Sequence, residues 1–270
     1  MTAVSEQRRG AMIGDAWLLT GRLIKQLIRV PDVLVFTIIQ PIMFILLFRY
    51  VFGGAINVGG GNYVNYLMPG IFVQTLLFNG AATGIGMAED MQRGLVDRFR
   101  SLPIARSALL LARAFSDIMR STLVFLIMLS VGVATGFRFS GGALGAVEGT
   151  VLMLALSFAF SWIGIFIGLS VKTVEAAQSG GFIWLFPLTF ASSAFVRTDS
   201  MPAWLRAFAN HNPVTVLVNS VRRLYLSNGA AQQFGVPALG GQLAQTLAWL
   251  AVILLVFVAL SVRTFRTLSR

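Results

Sequence analysis

Val33–Phe52 is a run of 20 residues with one formal charge, Arg49, near its far end. At 1.5 Å per residue a helix of that length crosses a hydrocarbon core of about 30 Å. Similar runs recur along the chain. The reading is an all-α membrane protein with six transmembrane helices: Val33–Phe52, about Tyr66–Ala88, about Ile118–Phe137, about Ala146–Val171, about Gly180–Val196 and about Leu243–Val262. The fifth is short for a straight crossing. No cleavable signal is expected, because the first uninterrupted apolar run starts at Val33 and is long enough to span. Three regions follow: residues 1–32 as a cytoplasmic N-terminus with an amphipathic interface helix, 33–262 as the transmembrane domain and 263–270 as a cytoplasmic tail.

Composition excludes much else. Only 11% of residues are charged and 56% are hydrophobic, with mean hydropathy +0.79, whereas a soluble domain carries about a quarter charged residues. The net charge of +11 does not point to nucleic acid, because the basic residues sit between apolar spans. That pattern serves topology and lipid headgroups. One side collects Arg8, Arg9, Arg22, Lys25, Arg29, Arg93, Arg98, Arg100, Arg106, Arg113, Arg120, Lys172, Arg263, Arg266 and Arg270. The other has only Arg49, Arg138, Arg197, Arg206, Arg222 and Arg223. The bias puts both termini and the Glu89–Asp117 loop in the cytoplasm of a cell membrane.

Three segments lie outside the spans. In residues 16–30, Arg22, Lys25, Gln26 and Arg29 share one helical face while Leu19, Leu23, Leu27 and Val30 share another, and Pro31 ends the helix. Such a helix lies flat at the interface, either as a simple anchor or as an elbow touching a cytoplasmic partner. The Glu89–Asp117 loop spaces Met91, Leu95, Phe99 and Leu102 as a helical stripe up to Pro103, with a second helix starting near Arg106. It is either a solvated basic loop or, with Phe99 and Leu102 among arginines, a docking surface for a protein. Residues Arg197–Pro237 form an external helical hairpin between spans five and six. One helix covers about Pro202–Ala209 and a second about Val214–Leu226, whose stripe is Val214, Leu217, Val218, Val221, Leu224 and Tyr225. Neither is long enough to cross.

Catalytic chemistry is not legible. There is no phosphate-cradling Gly-x-x-x-x-Gly-Lys-Ser/Thr, so ATP hydrolysis is not expected in this chain, and no cofactor or metal site is expected either. The chain has no cysteine and one histidine, His211, in a turn. No span, as delimited here, carries a mid-membrane carboxylate of the kind a proton- or sodium-coupled carrier keeps. Energy is therefore expected from outside the chain. The alternative, a self-sufficient channel or secondary carrier, requires a charge ring or relay. Gln40, before Pro41 in the first span, and Gln74 and Asn79 in the second either bond between helices or line a substrate path. Phe182, Phe186 and Phe190 recur every fourth residue, as lipid-facing packing or as an aromatic wall for a hydrophobic cargo. Gly80-x-x-x-Gly84, Gly132-x-x-x-Gly136 and Gly164-x-x-x-Gly168 permit close helix contact.

Met87-Ala88-Glu89-Asp90-Met91-Gln92-Arg93-Gly94, Asp97-Arg98-Phe99-Arg100-Ser101-Leu102-Pro103, Gln40-Pro41-Ile42-Met43-Phe44 and Met201-Pro202-Ala203-Trp204-Leu205 running to Asn212-Pro213-Val214 together resemble the permease subunit of ABC-2 type exporters. The similarity is to the daunorubicin/doxorubicin-resistance permease group of actinobacteria and covers nearly the whole chain. It implies a half-transporter in a bacterial plasma membrane that pairs with a second permease copy or a paralogue. It implies a cytoplasmic ABC ATPase subunit that carries MgATP and docks through Glu89, Asp90, Arg93, Asp97, Arg98, Phe99, Arg100 and Leu102. A hydrophobic drug-like, antibiotic-like or lipid cargo, as in multidrug efflux and antibiotic resistance, is implied as well.

Overall fold

The structure, a computed structural model, describes residues 20–21, 31–52, 62–94 and 108–268. The described residues are helical or in short connections, with no strand among them. Helix α1 covers Pro31–Leu47 and continues as a π-helical turn, Phe48–Phe52. Helix α2, Tyr63–Gln92, is capped at its start by the Asn62 side chain, which accepts from the Val64 N–H. It stops at Gly94, whose φ of +64° is open to glycine at little cost. Helix α3, Ala108–Ala134, ends in a Schellman turn: Phe137 N–H donates to the Gly132 carbonyl at 2.9 Å and Gly136 N–H to that of Val133 at 3.2 Å. Gly136, at φ +102°, is thus a helix stop, and the Gly132-x-x-x-Gly136 pair is not a helix–helix seam.

Helix α4 is Gly142–Ser170 and helix α5 is Val174–Phe190, the latter capped by Thr173. The hairpin follows as α6, Ala203–His211, and α7, Pro213–Tyr225, joined through Asn212. Pro213 occupies the first helical position, where its missing N–H costs nothing. A short α8, Asn228–Gln233, precedes the last helix, α9, Leu239–Leu268.

Four of these helices, α2, α3, α4 and α9, are long and apolar enough to cross a membrane. The other two expected spans correspond to α1 and α5, of 17 residues each, which is about 25 Å at helical rise. The six-span reading therefore stands at four full-length helices and two shorter ones. The third span also begins earlier than expected, at Ala108 and not near Ile118. The helix expected near Arg106 and the span are one continuous rod, so Arg113 and Asp117 belong to α3 and not to a loop.

Helix α2 is the axis of the bundle. In its most apolar stretch 78% of residues are buried, against 11% in α9, which lies on the outside. Helices α2 and α4 cross where Gly80 and Gly84 meet Gly164 and Gly168. A Cβ on Gly84 would run into the Gly164 carbonyl, and one on Gly168 into that of Gly84. Without side chains between them, the backbones approach closely and gain dispersion contacts that bulkier residues forbid. Two of the three small-residue pairs in the sequence are thus halves of one contact. Thr20 and Gly21 are helical, and the Thr20 hydroxyl donates to the Ala112 carbonyl of α3 at 3.3 Å. The rest of the amphipathic segment 16–30 lies outside the described residues.

Candidate functional site

At the hairpin end of the bundle, α5 stops at Phe190 and the chain continues non-helically through Val196. Backbone groups in such a segment need partners when water is scarce. Helix α7 supplies them. The Asn212 side chain donates to the carbonyls of Leu188 at 2.7 Å and Ala191 at 2.9 Å while its oxygen caps α7 at Val214 N–H. The Ser193 N–H donates to Thr215 Oγ1 at 3.0 Å, and the Ser193 hydroxyl to Asn219 Oδ1 at 3.1 Å. Tyr66 of α2 donates to the Ser193 carbonyl at 3.0 Å.

Arg222 sits at the centre of this junction, fully buried. Its Nε donates to the Tyr66 carbonyl at 2.9 Å, and its Nη2 to the carbonyls of Ser193 at 2.8 Å and Ala194 at 3.0 Å. Its Nη1 reaches the Ser193 hydroxyl at 3.3 Å. The guanidinium carbon lies 3.6 Å from the centre of the Tyr66 ring, a cation–π stack. Burial pulls the guanidinium below the ordinary arginine range, and Tyr66 opposes that pull. Carbonyl dipoles and a ring face stand where a carboxylate would otherwise be expected. Helix α4 closes against the same helix: the Ser140 and Gly141 N–H groups both donate to the Tyr225 carbonyl at 3.0 Å. The hairpin's second helix is therefore part of the core.

An aromatic column runs down one face. Phe78 of α2 meets Phe182 and Phe186 of α5, with ring centres 5.7 and 5.3 Å apart. Phe186 continues to Phe190 at 5.8 Å, Phe190 to Phe195 at 5.4 Å, Phe195 to Phe48 at 4.7 Å and Phe48 to Phe44 at 5.9 Å. Phe186 and Phe190 are exposed, as is Ile183 at 77%. Gln40, one turn before Phe44, is also exposed. The structure thus places Phe182, Phe186 and Phe190 in this column, and of Gln40 it shows only an exposed position on α1. It keeps Gln74 and Asn79 away from it, buried inside the protomer.

At the opposite end the charged groups pair. Glu89 and Arg93 form an exposed i,i+4 pair at 3.6 Å, worth little by itself. Asp90 and Arg113 pair at 3.1 Å, largely buried between α2 and α3. Nine residues into α3, about 14 Å from its start, Asp117 binds Arg120 at 2.5 Å. Arg120 also donates to the Asn79 carbonyl at 2.8 Å, to which the Thr83 hydroxyl donates at 3.2 Å. Asp117 Oδ2 and Asn79 Nδ2 are buried without a hydrogen bond. A buried carboxylate thus sits within α3, just before the expected start of the third span near Ile118. Asp97, Arg98, Phe99, Arg100 and Leu102 lie outside the described residues.

The signals for the unexpected residues were present in the sequence. Arg222 falls four residues after Val218 on the apolar stripe of α7. Arg113, Asp117 and Arg120 share one helical face once α3 is extended backwards, opposite Phe115, Met119, Leu123 and Leu126, which are exposed.

A bundle of long apolar helices is what a multi-pass membrane protein requires. A family model described as ABC-2 type transporter matches residues 15–226, and the chain belongs to that family, as a multi-pass membrane protein of the permease class. The daunorubicin resistance ABC transporter permease protein DrrB1 of Streptomyces coeruleorubidus is 31% identical over 194 residues, covering 72% of this chain and 69% of that protein. The doxorubicin resistance ABC transporter permease protein DrrB of Mycobacterium tuberculosis is 27% identical over 258 residues, covering 92% and 88%. The same organism's probable doxorubicin resistance ABC transporter permease protein DrrC is 23% identical over 219 residues, covering 81% and 79%.

Proposed function

We propose that this chain is the membrane-spanning subunit of an ATP-driven exporter that moves a hydrophobic drug-like, antibiotic-like or lipid cargo out of the cell. MgATP is bound and hydrolysed by a separate cytoplasmic ABC ATPase. That subunit docks at the Glu89 end, on Glu89, Asp90, Arg93, Asp97, Arg98, Phe99, Arg100 and Leu102, with both termini on the same side. A second permease, identical or paralogous, completes the conduit, and the face bearing Gln40, Phe182, Phe186 and Phe190 looks toward the cargo.

The observation that carries this reading is the family match over residues 15–226. The exposed rings of Phe186 and Phe190 support the cargo class, because flat apolar molecules stack on aromatic faces. The ion pair Asp90–Arg113 joins the end of α2 to α3. A push there is passed to the α2–α4 crossing as a rigid-body shift.

The absence of cysteine from the sequence gives a clean test of orientation. Single cysteines at Arg93 and at exposed Trp204 are treated with a membrane-impermeant maleimide on intact cells. The proposal expects labelling at 204 and protection at 93 until the membrane is opened. The reverse pattern contradicts it. A second reading, a self-sufficient carrier, draws on the buried Asp117–Arg120 pair as a relay. It expects proton-driven flux from the chain alone, abolished by Asp117→Asn.

A further inference from the structure

Asp90 of α2 and Arg113 of α3 hold these two helices together through one guanidinium nitrogen, Nη2, at 3.1 Å. The Arg113 and Asp90 side chains are only 16% and 9% exposed. The guanidinium lies across Gly86 of α2. A Cβ at that position would collide with Arg113 Nη2 and come within 2.8 Å of its Cζ. Glycine at 86 is therefore what lets the arginine lie against α2 and reach Asp90. The other edge of the fork is unused: Arg113 Nε is buried without a hydrogen bond. Asp117, one turn along α3, shows the complement. Arg120 takes its Oδ1, and its Oδ2 is buried without a hydrogen bond. Positions 113 and 117 stand at i and i+4 on one helical face, and the two charges already act on each other. A donor and an acceptor of opposite charge, each orphaned, are thus stationed four residues apart, and orphaned buried groups are costly.

We propose that Arg113 is a latch with two partners: it ties α2 to α3 through Asp90 and releases α2 by turning to Asp117 within α3, with Gly86 as the seat that favours the tie. Breaking a buried ion pair outright is expensive because a bare charge remains. Here the guanidinium exchanges one carboxylate for another, and two orphaned atoms gain a bond. Asp90 lies in the last turn of α2 beside exposed Gln92 and Arg93, where water replaces the guanidinium. Two discrete arrangements are what a rigid-body shift between packed helices needs. The exchange is independent of cargo and nucleotide. That a docked ATPase drives it rests on the function proposed above.

Double-mutant cycles on the full-length protein in mild detergent, read as melting temperature, test the exchange. Arg113→Gln is combined with Asp90→Asn in one cycle and with Asp117→Asn in the other. In the otherwise wild-type chain the Asp90 cycle is expected to depart from additivity by at least about 2–4 °C, and the Asp117 cycle by less. With Gly86→Ala added, which takes the seat and leaves every charge, the order is expected to reverse. Should Gly86→Ala fail to fold, Asp90→Asn serves as the background, in which the Arg113–Asp117 coupling is expected to exceed its wild-type value. Without that reversal, or without that rise where Gly86→Ala does not fold, the proposal falls. Spin labels on Arg93→Cys and Phe115→Cys read the movement itself. The tied helices are expected to give the narrower distance distribution, and Asp90→Asn to add a longer component that Asp117→Asn removes. A distribution that Asp90→Asn leaves unchanged overturns the proposal. The cycles need no partner subunit, so a reversal in a chain that binds no ATPase keeps the latch and removes the function, and an ATPase bound to a chain without reversal does the opposite.

Discussion

At Arg222 the cost of burying a charge is met without an acid. Three carbonyls, one hydroxyl and a ring face surround the guanidinium, and all of them come from the two segments that α7 joins, α2 and the tail of α5. The geometry is planar and forked, so lysine is not an equivalent. Arg222→Ala leaves buried carbonyls unpaired, at about 1–3 kcal/mol for each orphaned group. We expect it to lower the melting temperature of the detergent-solubilised protein strongly. Arg222→Lys should recover only a minor part of that loss. A melting temperature unchanged in Arg222→Ala would show that the junction is held by something else.

The pair Asp117–Arg120 follows a different logic. Removing one partner of a buried ion pair leaves a bare charge, a cost of about 3–5 kcal/mol, whereas replacing both by apolar residues is often close to neutral. Asp117→Leu and Arg120→Leu singly should therefore destabilise the protein more than the double variant does. Thermal unfolding of the four proteins of this cycle measures the coupling. Additive effects would contradict the pairing. Neither role could be assigned with the third span starting at Ile118, because that boundary leaves Asp117 in a loop and Arg120 at its edge. The side-by-side charge count places Arg222 with the external charges, and only the packing of α7 against α2 and α4 reveals its burial.

Among the elements, the α2–α4 crossing carries the most structural information per residue. Gly-x-x-x-Gly pairs are common in apolar helices, and the sequence offered three. Tertiary packing distinguishes them: two interlock at Gly84 and Gly164, while Gly136 ends a helix. Gly164→Val puts side-chain volume into the Gly80 carbonyl and should cost at least about 1–3 kcal/mol, the range for overpacking. Gly240→Ala, where a Cβ meets nothing within 4 Å, should be neutral or slightly stabilising, since alanine restricts the unfolded chain and favours helix. Thermal unfolding of the two variants side by side separates a packing effect from a propensity effect. Helix existence was legible from apolar run length, and hairpin boundaries from Pro202 and Asn212-Pro213, whereas Asn228-Gly229 opens α8 and does not stop α7. The ends of α1 and α5 were not legible, because apolar composition continues past Leu47 and Phe190 while the α-helical geometry does not.

For the molecule as a whole, one end is built for packing and the other for contact. The hairpin end is bound into the core by α7, so it moves with α2 and α4. The Glu89 end presents charge pairs and leads into the arginine-rich loop. The candidate docking residues were legible as a charged, apolar-striped segment, and part of them lies beyond the described residues. The candidate cargo face was legible only as a four-residue repeat of phenylalanine, which extends through Phe195, Phe48 and Phe44 into a column by tertiary contact alone. An aromatic face of this kind should be sensitive to lost ring area: if the proposed cargo path runs along it, Phe186→Ala with Phe190→Ala reduces export of a hydrophobic aromatic cargo several-fold while leaving membrane insertion intact. Unaltered export in a system that transports that cargo would remove these rings from the path.

The central claim is that nucleotide is consumed by a separate subunit gripping the Glu89 end. The most direct measurement is affinity purification of the tagged chain from its native membranes, followed by an MgATP hydrolysis assay and mass spectrometry of the eluate. The account predicts a co-purifying ABC ATPase with vanadate-sensitive turnover, both lost when Arg98→Glu and Phe99→Ala are introduced together. An eluate free of any ABC ATPase, from a chain that still drives export in vesicles without nucleotide, would contradict it.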